Sequence, residues 1–296
     1  KMILSYFALL IRVVLLAFER VVVRLLGDEE GDIYKNIASS FLFFFIGGVC
    51  LLPFSIMDRV SDWSFLIPCY ISSLVYSIGS VAYVTSLATG EVSLVTPINS
   101  LNSLFLLLLS VIFLGEGLSL AKVAGIIIMI GGVFILKKVS SFLKNVSVIF
   151  NNLPCRLMFL YIFLQSVGRV LDKAFFVQVS PILYSTILYF FVGLNLFIFL
   201  AFKKKQKIIC EIFTNKKGLS ILSGAINGYS YLALLIALNN LELSIAEPFS
   251  QVSMIITLIL AHFIFKENIK EKIPGSILIL IGGVATVTLI DIKNEL

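Results

Sequence analysis

The sequence predicts an all-α membrane protein in which ten transmembrane helices form two inverted five-helix repeats around a central cavity. Three observations predict this fold: the composition, the number of apolar runs and an internal repeat. Of the 296 residues, 59% are hydrophobic and only 14% are charged, and the mean hydropathy is +1.06. Soluble domains are about 45–50% apolar and about 25% charged. A chain of this composition is therefore expected to lie in a lipid bilayer.

Apolar runs separated by charged residues, glycine or proline give ten candidate helices. A single span needs about 20 mostly apolar residues, and each run is close to that length. The first run is predicted to be a retained helix, because it lacks the features of a cleavable signal. The predicted helices are 2–25, 37–57, 64–88, 92–114, 119–138, 156–178, 182–202, 218–239, 244–265 and 272–291.

The internal repeat appears when the chain is compared with itself at an offset of 151 residues, which places Pro97 on Pro248 and Glu116 on Glu267. The glycine pairs of the two halves coincide at the same offset. Because five is an odd number, the second repeat enters the membrane from the opposite side, a plan that recurs in secondary transporters. The predicted organisation is a first repeat at 1–138, an interfacial connector at 139–155 and a second repeat at 156–296.

Two stretches carry a family resemblance, namely GEVSLVTPINSLNSLFLLLLSVIFLGEGLSLAKVAGIIIMIGGVFIL (90–136) and LSIAEPFSQVSMIITLILAHFIFKENIKEKIPGSILILIGGV (243–284). In each stretch one helix begins near a proline and ends at a glutamate, and the next helix carries a glycine-rich segment. This pattern resembles the EamA-type branch of the drug/metabolite transporter superfamily. The resemblance implies ten helices around a cavity that is lined by the first, third and fourth helices of each repeat. We interpret the two glutamates as structural features of this fold.

Charged residues interrupt the apolar segment around SVGRVLDKAF (166–175). Gln165, Arg169 and Asp172 share one helical face, with Lys173 at its edge. A charge at the bilayer centre costs about 2.5–3.5 kcal/mol, so such residues usually face a cavity and form pairs. Two interpretations stay open: these charges line a substrate path, or they brace helices and reach the membrane interface.

The first helix repeats this arrangement, because Glu19-Arg20 aligns with Asp172-Lys173 at an offset of 153 residues, and Arg12 lies on the same face as Glu19. The ninth helix adds a glutamate and a glutamine one turn apart, and the third, fourth and eighth helices add amides and tyrosines. Amides can bind a substrate or join helices. The candidate substrate-binding residues are Arg12, Glu19, Tyr76, Tyr83, Asn99, Asn102, Gln165, Arg169, Asp172, Lys173, Asn227, Tyr231, Glu247 and Gln251.

Several function classes are not expected from this sequence. The four cysteines lie far apart and His262 is the one histidine, so we predict no metal site, no cofactor and no enzymatic activity. We interpret His262 as a packing residue. No nucleotide-binding Walker motif is present to drive transport with ATP, and no aromatic and basic pattern indicates nucleic-acid binding.

The distribution of lysine and arginine among the loops predicts how the protein is oriented in the membrane. Lysine and arginine concentrate in the loops at 137–156, 203–217 and 266–272. By the positive-inside rule these loops are cytoplasmic and both termini are outside. The family resemblance implies the opposite orientation, and both remain open at this point.

The sequence therefore predicts a multi-pass protein of the cell inner or plasma membrane, acting as a monomer or homodimer. The hypothesis is a secondary active transporter of a small anionic or zwitterionic metabolite, which works by alternating access with protons as a candidate coupling ion. One alternative is a flippase or transporter of a lipid or lipid-linked carrier, which a cavity open sideways to lipid would indicate. Another is a non-transporting assembly or receptor protein, in which internal ion pairs would consume the polar stripes.

Overall fold

The computed structural model describes residues 2–56, 63–115, 117, 119–135, 151–175 and 179–294, and all regular structure among them is helical. Thirteen α-helices and one short π-helix make up the described chain. The helices are α1 Met2–Leu26, α2 Ile33–Ser55, α3 Leu66–Thr89, α4 Val92–Asn99, α5 Asn102–Leu109 with a π-helix at Ser110–Leu114, α6 Leu120–Ile135, α7 Leu153–Phe175, α8 Pro181–Phe202, α9 Lys207–Asn215, α10 Lys217–Leu238, α11 Leu243–Ser250, α12 Ser253–Phe265 and α13 Ile273–Asn294.

Seven helical segments of the described chain are long and apolar enough to cross a membrane. They are α1, α2, α3, α8, α10 and the two composite segments Val92–Leu114 and Ile245–Phe265. Shorter apolar helices lie at Val123–Gly132 and Ile273–Gly283. Of the long helices outside this set, α7 carries the charged residues of the SVGRVLDKAF segment, and these lower its mean hydropathy. The helix boundaries otherwise lie within a few residues of the predicted ones.

The helices pair across the two repeats in a symmetric pattern. The most extensive helix contacts are α6 with α13, α3 with α7, α2 with α8, and α1 with α10. Each joins a helix of the first repeat to a helix of the second. If the repeats are exchanged, α1 takes the place of α7 and α3 the place of α10, so the α1–α10 contact maps onto the α3–α7 contact. This pairing is what a pseudo-two-fold axis between two copies of one unit produces.

The fourth helix of each repeat is broken, whereas the sequence predicted two continuous helices at 92–114 and 244–265. Each break follows a proline by three residues: Ser100 N–H bonds to the Pro97 carbonyl at 3.0 Å, and Gln251 N–H bonds to the Pro248 carbonyl at 3.1 Å. A proline cannot donate to the preceding turn, and the chain tightens locally into three-residue turns. Discontinuous helices at equivalent positions of two repeats are typical of transporter binding sites.

Three of the four paired glycines lie close to a neighbouring backbone: Gly132, Gly282 and Gly283, where an added Cβ would lie 3.2 Å from the Pro248 carbonyl oxygen. A Cβ atom added to Gly132 would lie 2.6 Å from the Gly275 carbonyl oxygen, and one added to Gly282 would meet the Gly125 backbone. A Cβ on Gly131 would meet nothing within 4 Å. Gly132 and Gly282 therefore let α6 and α13 pack backbone to backbone, as small residues do at helix contacts in membranes.

The loops on the side where α1 ends contain structure that the sequence did not predict. Asp32 caps α2 by accepting a hydrogen bond from Tyr34 N–H at 2.8 Å, so α2 begins four residues before its predicted start. The lysine-rich loop at 203–217 contains α9, whose apolar face buries Ile209 and Ile212. The Lys216 ammonium donates to three carbonyls at the C-terminal end of α1, where positive charge offsets the helix dipole, and partial burial lowers the pKa of Lys216.

Of the predicted connector 139–155, residues 139–150 lie outside the described residues, and Leu153 begins α7. Glu116 also lies outside the described residues.

Glu267, the glutamate at the end of α12, ties the two repeats together. Its carboxylate accepts hydrogen bonds from Val92 N–H at 3.0 Å and Ser93 N–H at 2.8 Å, the first two amides of α4. It also accepts from the Arg24 guanidinium at 3.0 Å. Unpaired amides at a helix start favour a negative charge. The second repeat therefore caps a helix of the first repeat. This structural role agrees with our interpretation of Glu267 from the sequence.

We expect Glu267→Ala to lower the free energy of unfolding by about 1.5–3 kcal/mol, because two buried amides and one arginine lose a charged acceptor. Thermal unfolding of the purified protein in detergent measures this loss. Glu271→Ala is the matched control, because Glu271 is exposed in the same loop and its replacement should leave the unfolding temperature unchanged. Equal effects of the two variants would contradict the cap.

Candidate functional site

An internal cavity lies between the two repeats. Its volume is about 50 Å³, counted as the space open to the centre of a water molecule. One water needs about 10–15 Å³ on this measure, so the cavity in this conformation holds a few waters or a ligand of similar size. The cavity is lined by Arg12, Leu16, Glu19, Arg20, Phe43, Phe44, Tyr76, Ser80, Tyr83, Asn99, Tyr161, Gln165, Arg169, Leu188, Tyr189, Asn227, Ser230, Tyr231, Glu247 and Gln251.

These side chains come from the first, third and fourth helices of each repeat, as the resemblance implied. The second helices, α2 and α8, also contribute. The wall contains both aromatic rings and charged groups. Many of the polar side chains of the described core therefore face one shared space and not lipid.

Glu247 stands at one end of the cavity between two arginines. The Arg12 guanidinium donates to both oxygens of Glu247, at 3.2 and 3.3 Å. Arg169 Nε lies 3.1 Å from the same carboxylate. The Glu247 side chain is 2% exposed, so its charge is compensated inside the protein. Removing one member of such a buried group leaves an uncompensated charge.

The guanidinium of Arg12 already has several hydrogen-bond acceptors within the protein. Besides Glu247, its guanidinium donates to the Ser250 hydroxyl at 3.0 Å and to the Ser230 carbonyl at 3.0 Å. These contacts connect α1 with α10 and α11. Arg12 therefore braces the cavity wall, and it has little capacity left for a ligand.

Arg169 differs from Arg12, because part of its guanidinium has no acceptor among the described residues. Nε and Nη1 are buried and make no hydrogen bond there; the contact of Nε with Glu247 is close but not aligned for one. The guanidinium carbon lies 4.7 Å from the ring centre of Tyr231 and 5.6 Å from that of Tyr76, within the range of cation–π attraction. Buried donors of this kind are strongly disposed to bind an acceptor.

Asp172 lies one turn beyond Arg169 and is fully buried. Four hydroxyl groups donate to its carboxylate. Its Oδ1 accepts from Ser72 at 2.7 Å and Tyr184 at 2.9 Å, and its Oδ2 accepts from Tyr76 and Tyr231 at 2.6 Å each. Asp172 is absent from the cavity wall because these hydroxyls surround it. It holds the two tyrosines that face Arg169.

Glu19 and Arg20 lie toward the other end of the cavity. The Glu19 carboxylate accepts one hydrogen bond, from Tyr83 at 3.0 Å, and no cation lies within 4 Å of it among the described residues. Arg20 turns toward α12 and donates to neutral oxygens of Gln251, Ser253 and Thr257. Glu19 is therefore the cavity carboxylate with capacity left for a cation or a proton.

Amide groups complete the wall. Asn99 Oδ1 is buried and has no donor in the described part of the chain. Gln251 accepts from Arg20 at 3.2 Å and from Ser100 at 3.3 Å. Asn227 accepts from the Tyr189 hydroxyl at 2.7 Å. Asn99 is thus an open acceptor, whereas the other two amides hold their neighbours in place.

Three of the predicted site residues do not reach the cavity wall: Asn102, Asp172 and Lys173. Asn102 accepts a hydrogen bond from Ser166 and joins α5 to α7. The Lys173 ammonium donates to the carbonyls of Leu238 and Leu241, just past the last turn of α10. A cation at a helix C-terminus offsets the helix dipole, so the bracing interpretation describes Lys173. The other predicted site residues line the cavity.

Several wall residues were absent from the predicted set, although three had a signal in the sequence: Arg20, which follows Glu19 in the charged pair of the first helix, Tyr161 and Ser80. Tyr161 lies one turn before Gln165 on the polar face of α7, and Ser80 lies one turn after Tyr76 on α3. Tyr189 and the apolar residues of α2 and α8 gave no signal, because aromatic residues in apolar helices are usually packing residues. His262 bonds to the Glu267 carbonyl at 2.9 Å, away from the cavity.

Comparison with known proteins identifies the family of this chain and a solved structure with a similar fold. A family model described as the EamA-like transporter family matches residues 3–137 and 153–289. A solved structure described as "Crystal structure of protein" matches with a TM-score of 0.63 and 16% sequence identity, over 98% of this chain and 97% of that chain. At that identity the likeness shows the fold alone. No curated protein matches the chain significantly. Because the family match covers both repeats, the chain belongs to the EamA-like transporter family, and it is an integral multi-pass membrane protein.

Proposed function

We propose that this protein is a secondary active transporter of a small anionic or zwitterionic metabolite, and that it works by alternating access. Membership of the transporter family supports transport as the general activity. The observation that carries the finer proposal is Arg169, which lines the cavity between the repeats. Its buried Nη1 has no acceptor among the described residues, and its Nε lies near Glu247 without making a hydrogen bond.

Ten membrane spans are part of the proposal. In addition to the seven segments that length and composition support, α6, α7 and α13 would each cross the membrane. The extensive α6–α13 and α3–α7 contacts support this arrangement, because they pair these helices with partners from the opposite repeat. The inverted repeats would then rock about the cavity and expose it to each side in turn.

The anionic part of the substrate would bind at Arg169. A guanidinium presents parallel donors that match the two oxygens of a carboxylate. The rings of Tyr76 and Tyr231 lie within cation–π distance of this guanidinium. Arg12 was an equal candidate from the sequence, but its contacts with Glu247, Ser250 and Ser230 assign it to bracing.

The cationic part of a zwitterion, or a coupling proton, would bind at Glu19. Glu247 and Asp172 are also candidate substrate-binding residues by sequence, but their acceptor capacity is already used. Glu247 lies between two arginines and Asp172 accepts four hydroxyl hydrogen bonds. The single hydrogen bond from Tyr83 leaves Glu19 with free acceptor capacity, so we assign it the cation.

The alternatives are weaker on these observations. In a non-transporting protein the polar stripes would be consumed by internal contacts, but Arg169, Asn99 and Glu19 keep unused capacity beside the cavity. A flippase for a lipid or lipid-linked carrier remains an outcome of the test below. The surrounding bilayer and a monomeric or homodimeric state in the inner or plasma membrane belong to the proposal.

The test is a thermal-shift screen of the purified protein against anionic, zwitterionic, cationic and neutral metabolites. A ligand present at about 100 times its Kd stabilises the native state by about 2.7 kcal/mol. We expect stabilisation by anionic or zwitterionic compounds, followed by uptake of the same compounds into proteoliposomes. Glu19→Gln should weaken the binding of a zwitterion more than the binding of the matched anion that lacks the amine.

Two results would contradict the proposal. Stabilisation by lipid-linked compounds alone would favour the flippase. Stabilisation by purely cationic compounds alone would exclude an anion site at Arg169.

A further inference from the structure

The repeat makes Glu19 and Asp172 equivalent residues. At an offset of 153 positions, Glu19 on α1 aligns with Asp172 on α7. Glu19 lies seven residues before the last residue of α1, and Asp172 lies three residues before the last residue of α7. Because the repeats are inverted, the two carboxylates stand toward opposite ends of the cavity.

The surroundings of this equivalent pair are very unequal. Asp172 is fully buried under hydroxyls from α3, α8 and α10. Both Tyr76 of the first repeat and Tyr231 of the second donate to the same oxygen at 2.6 Å. That oxygen therefore joins the repeats at its end of the cavity. Glu19 holds one hydroxyl, from Tyr83 of its own repeat, and faces the cavity.

An inverted-repeat transporter has an outward-facing state and an inward-facing state. In going from one state to the other, each repeat takes up the conformation that the other repeat had. A residue pair that is equivalent in sequence but unequal in contacts then marks which end is closed. The Asp172 end has the contacts of a closed end. At the Glu19 end, the Tyr161 hydroxyl is a second candidate donor to Glu19. Tyr161 stacks on Tyr83 with ring centres 4.4 Å apart and also lines the cavity.

We propose that Asp172 and Glu19 are a pair of gating carboxylates that gather tyrosine hydroxyls alternately, one at each end of the cavity. In the present state Asp172 closes its end and positions Arg169 through the rings of Tyr76 and Tyr231. In the opposite state Asp172 releases these hydroxyls and Glu19 gathers those of Tyr83 and Tyr161. The inference rests on the proposed alternating access, but its test requires no substrate.

Two native cysteines serve as reporters of the two ends. Cys69 lies one turn before Ser72 on α3, beside Asp172, and Cys155 lies in the first turn of α7, at the opposite end. Both are fully buried. Buried thiols react poorly, so each reports opening of its own surroundings.

The experiment measures labelling of the purified full-length protein with a charged, water-soluble thiosulfonate, in a Cys50→Ser/Cys210→Ser background. Peptide mass spectrometry reads Cys69 and Cys155 separately. We expect Asp172→Asn to raise the labelling rate of Cys69 by about tenfold, because charged hydrogen bonds that hold the end closed are lost. The rate at Cys155 should stay within about twofold of its starting value.

Tyr231→Phe is the second variant, and it carries the test should Asp172→Asn fail to fold. It removes one of the four hydroxyls that donate to Asp172, and we expect a smaller rise at Cys69 alone. Glu19→Gln is the opposing variant and should not raise the labelling rate of Cys69, because it removes the carboxylate that gathers hydroxyls only when the Asp172 end is open. An equal rise at both cysteines would assign Asp172 to general stability and overturn the gating role, as would an unchanged rate at Cys69.

The gating role and the proposed transport activity fail separately. Selective labelling of Cys69 without uptake of any anionic or zwitterionic compound would sustain the gate and refute the substrate class. Uptake that depends on Arg169 with no selective labelling would refute the gate alone.

Discussion

Replacement of Arg169 by alanine is expected to weaken substrate binding by about 10- to 100-fold. A hydrogen bond to a charged group contributes about 1.5–3 kcal/mol, and each 1.4 kcal/mol is a factor of ten in affinity. Arg169 is the cavity arginine whose buried Nε and Nη1 have no hydrogen-bond acceptor among the described residues. Thermal-shift titration and proteoliposome uptake with the compounds found by the screen measure the loss.

The matched control for this prediction is Arg156→Ala. Arg156 lies on the same helix, α7, but is exposed, so its loss should leave affinity unchanged. Arg169→Lys should recover part of the affinity, because it restores the charge without the paired donors. Unchanged uptake by Arg169→Ala would remove this residue from the transport mechanism.

Replacement of Glu247 by leucine is expected to lower the free energy of unfolding by about 3–5 kcal/mol, the range measured when one partner of a buried ion pair is removed. Arg12 and Arg169, 2% and 6% exposed, would both lose their shared carboxylate. Chemical or thermal unfolding in detergent measures the change. The loss would be seen without any substrate, which distinguishes it from the effect of Arg169→Ala.

The double variant Arg12→Met/Glu247→Leu tests the physical reason. Replacing a whole buried ion pair by apolar residues is often neutral, so the double variant should be more stable than Glu247→Leu alone. A double variant as unstable as the single one would show that lost packing, and not uncompensated charge, determines the effect.

The predicted and observed structures agree where local pattern is sufficient. Apolar runs bounded by charges and glycines predicted the long helices. The offset of 151 residues aligned the glycine pairs of α6 and α13, which the structure brings into contact through Gly132 and Gly282. The polar faces of α1 and α7 also followed from spacing, because residues three, four and seven apart share one side of a helix. Arg12, Glu19, Gln165 and Arg169 accordingly line the cavity.

Local pattern failed where partners come from distant parts of the chain. The breaks after Pro97 and Pro248 were missed, since a proline near a helix start is also compatible with a continuous helix. Asp172 was predicted to face the substrate because it shares a face with Arg169. Tyr76, Tyr184 and Tyr231, which surround its carboxylate, come from three other helices.

The sequence by itself determined that this chain is a membrane protein of two related halves, and that the polar faces of α1 and α7 point inward. Composition and helical period fix these properties, and both are local. The tertiary structure decided which inward charges are compensated: Arg12 and Glu247 pair, Asp172 is surrounded by hydroxyls, and Arg169 and Glu19 keep capacity for a ligand. The physical reason is that, in a medium without water, the role of a charge depends on its neighbours in space, and folding alone brings those neighbours together.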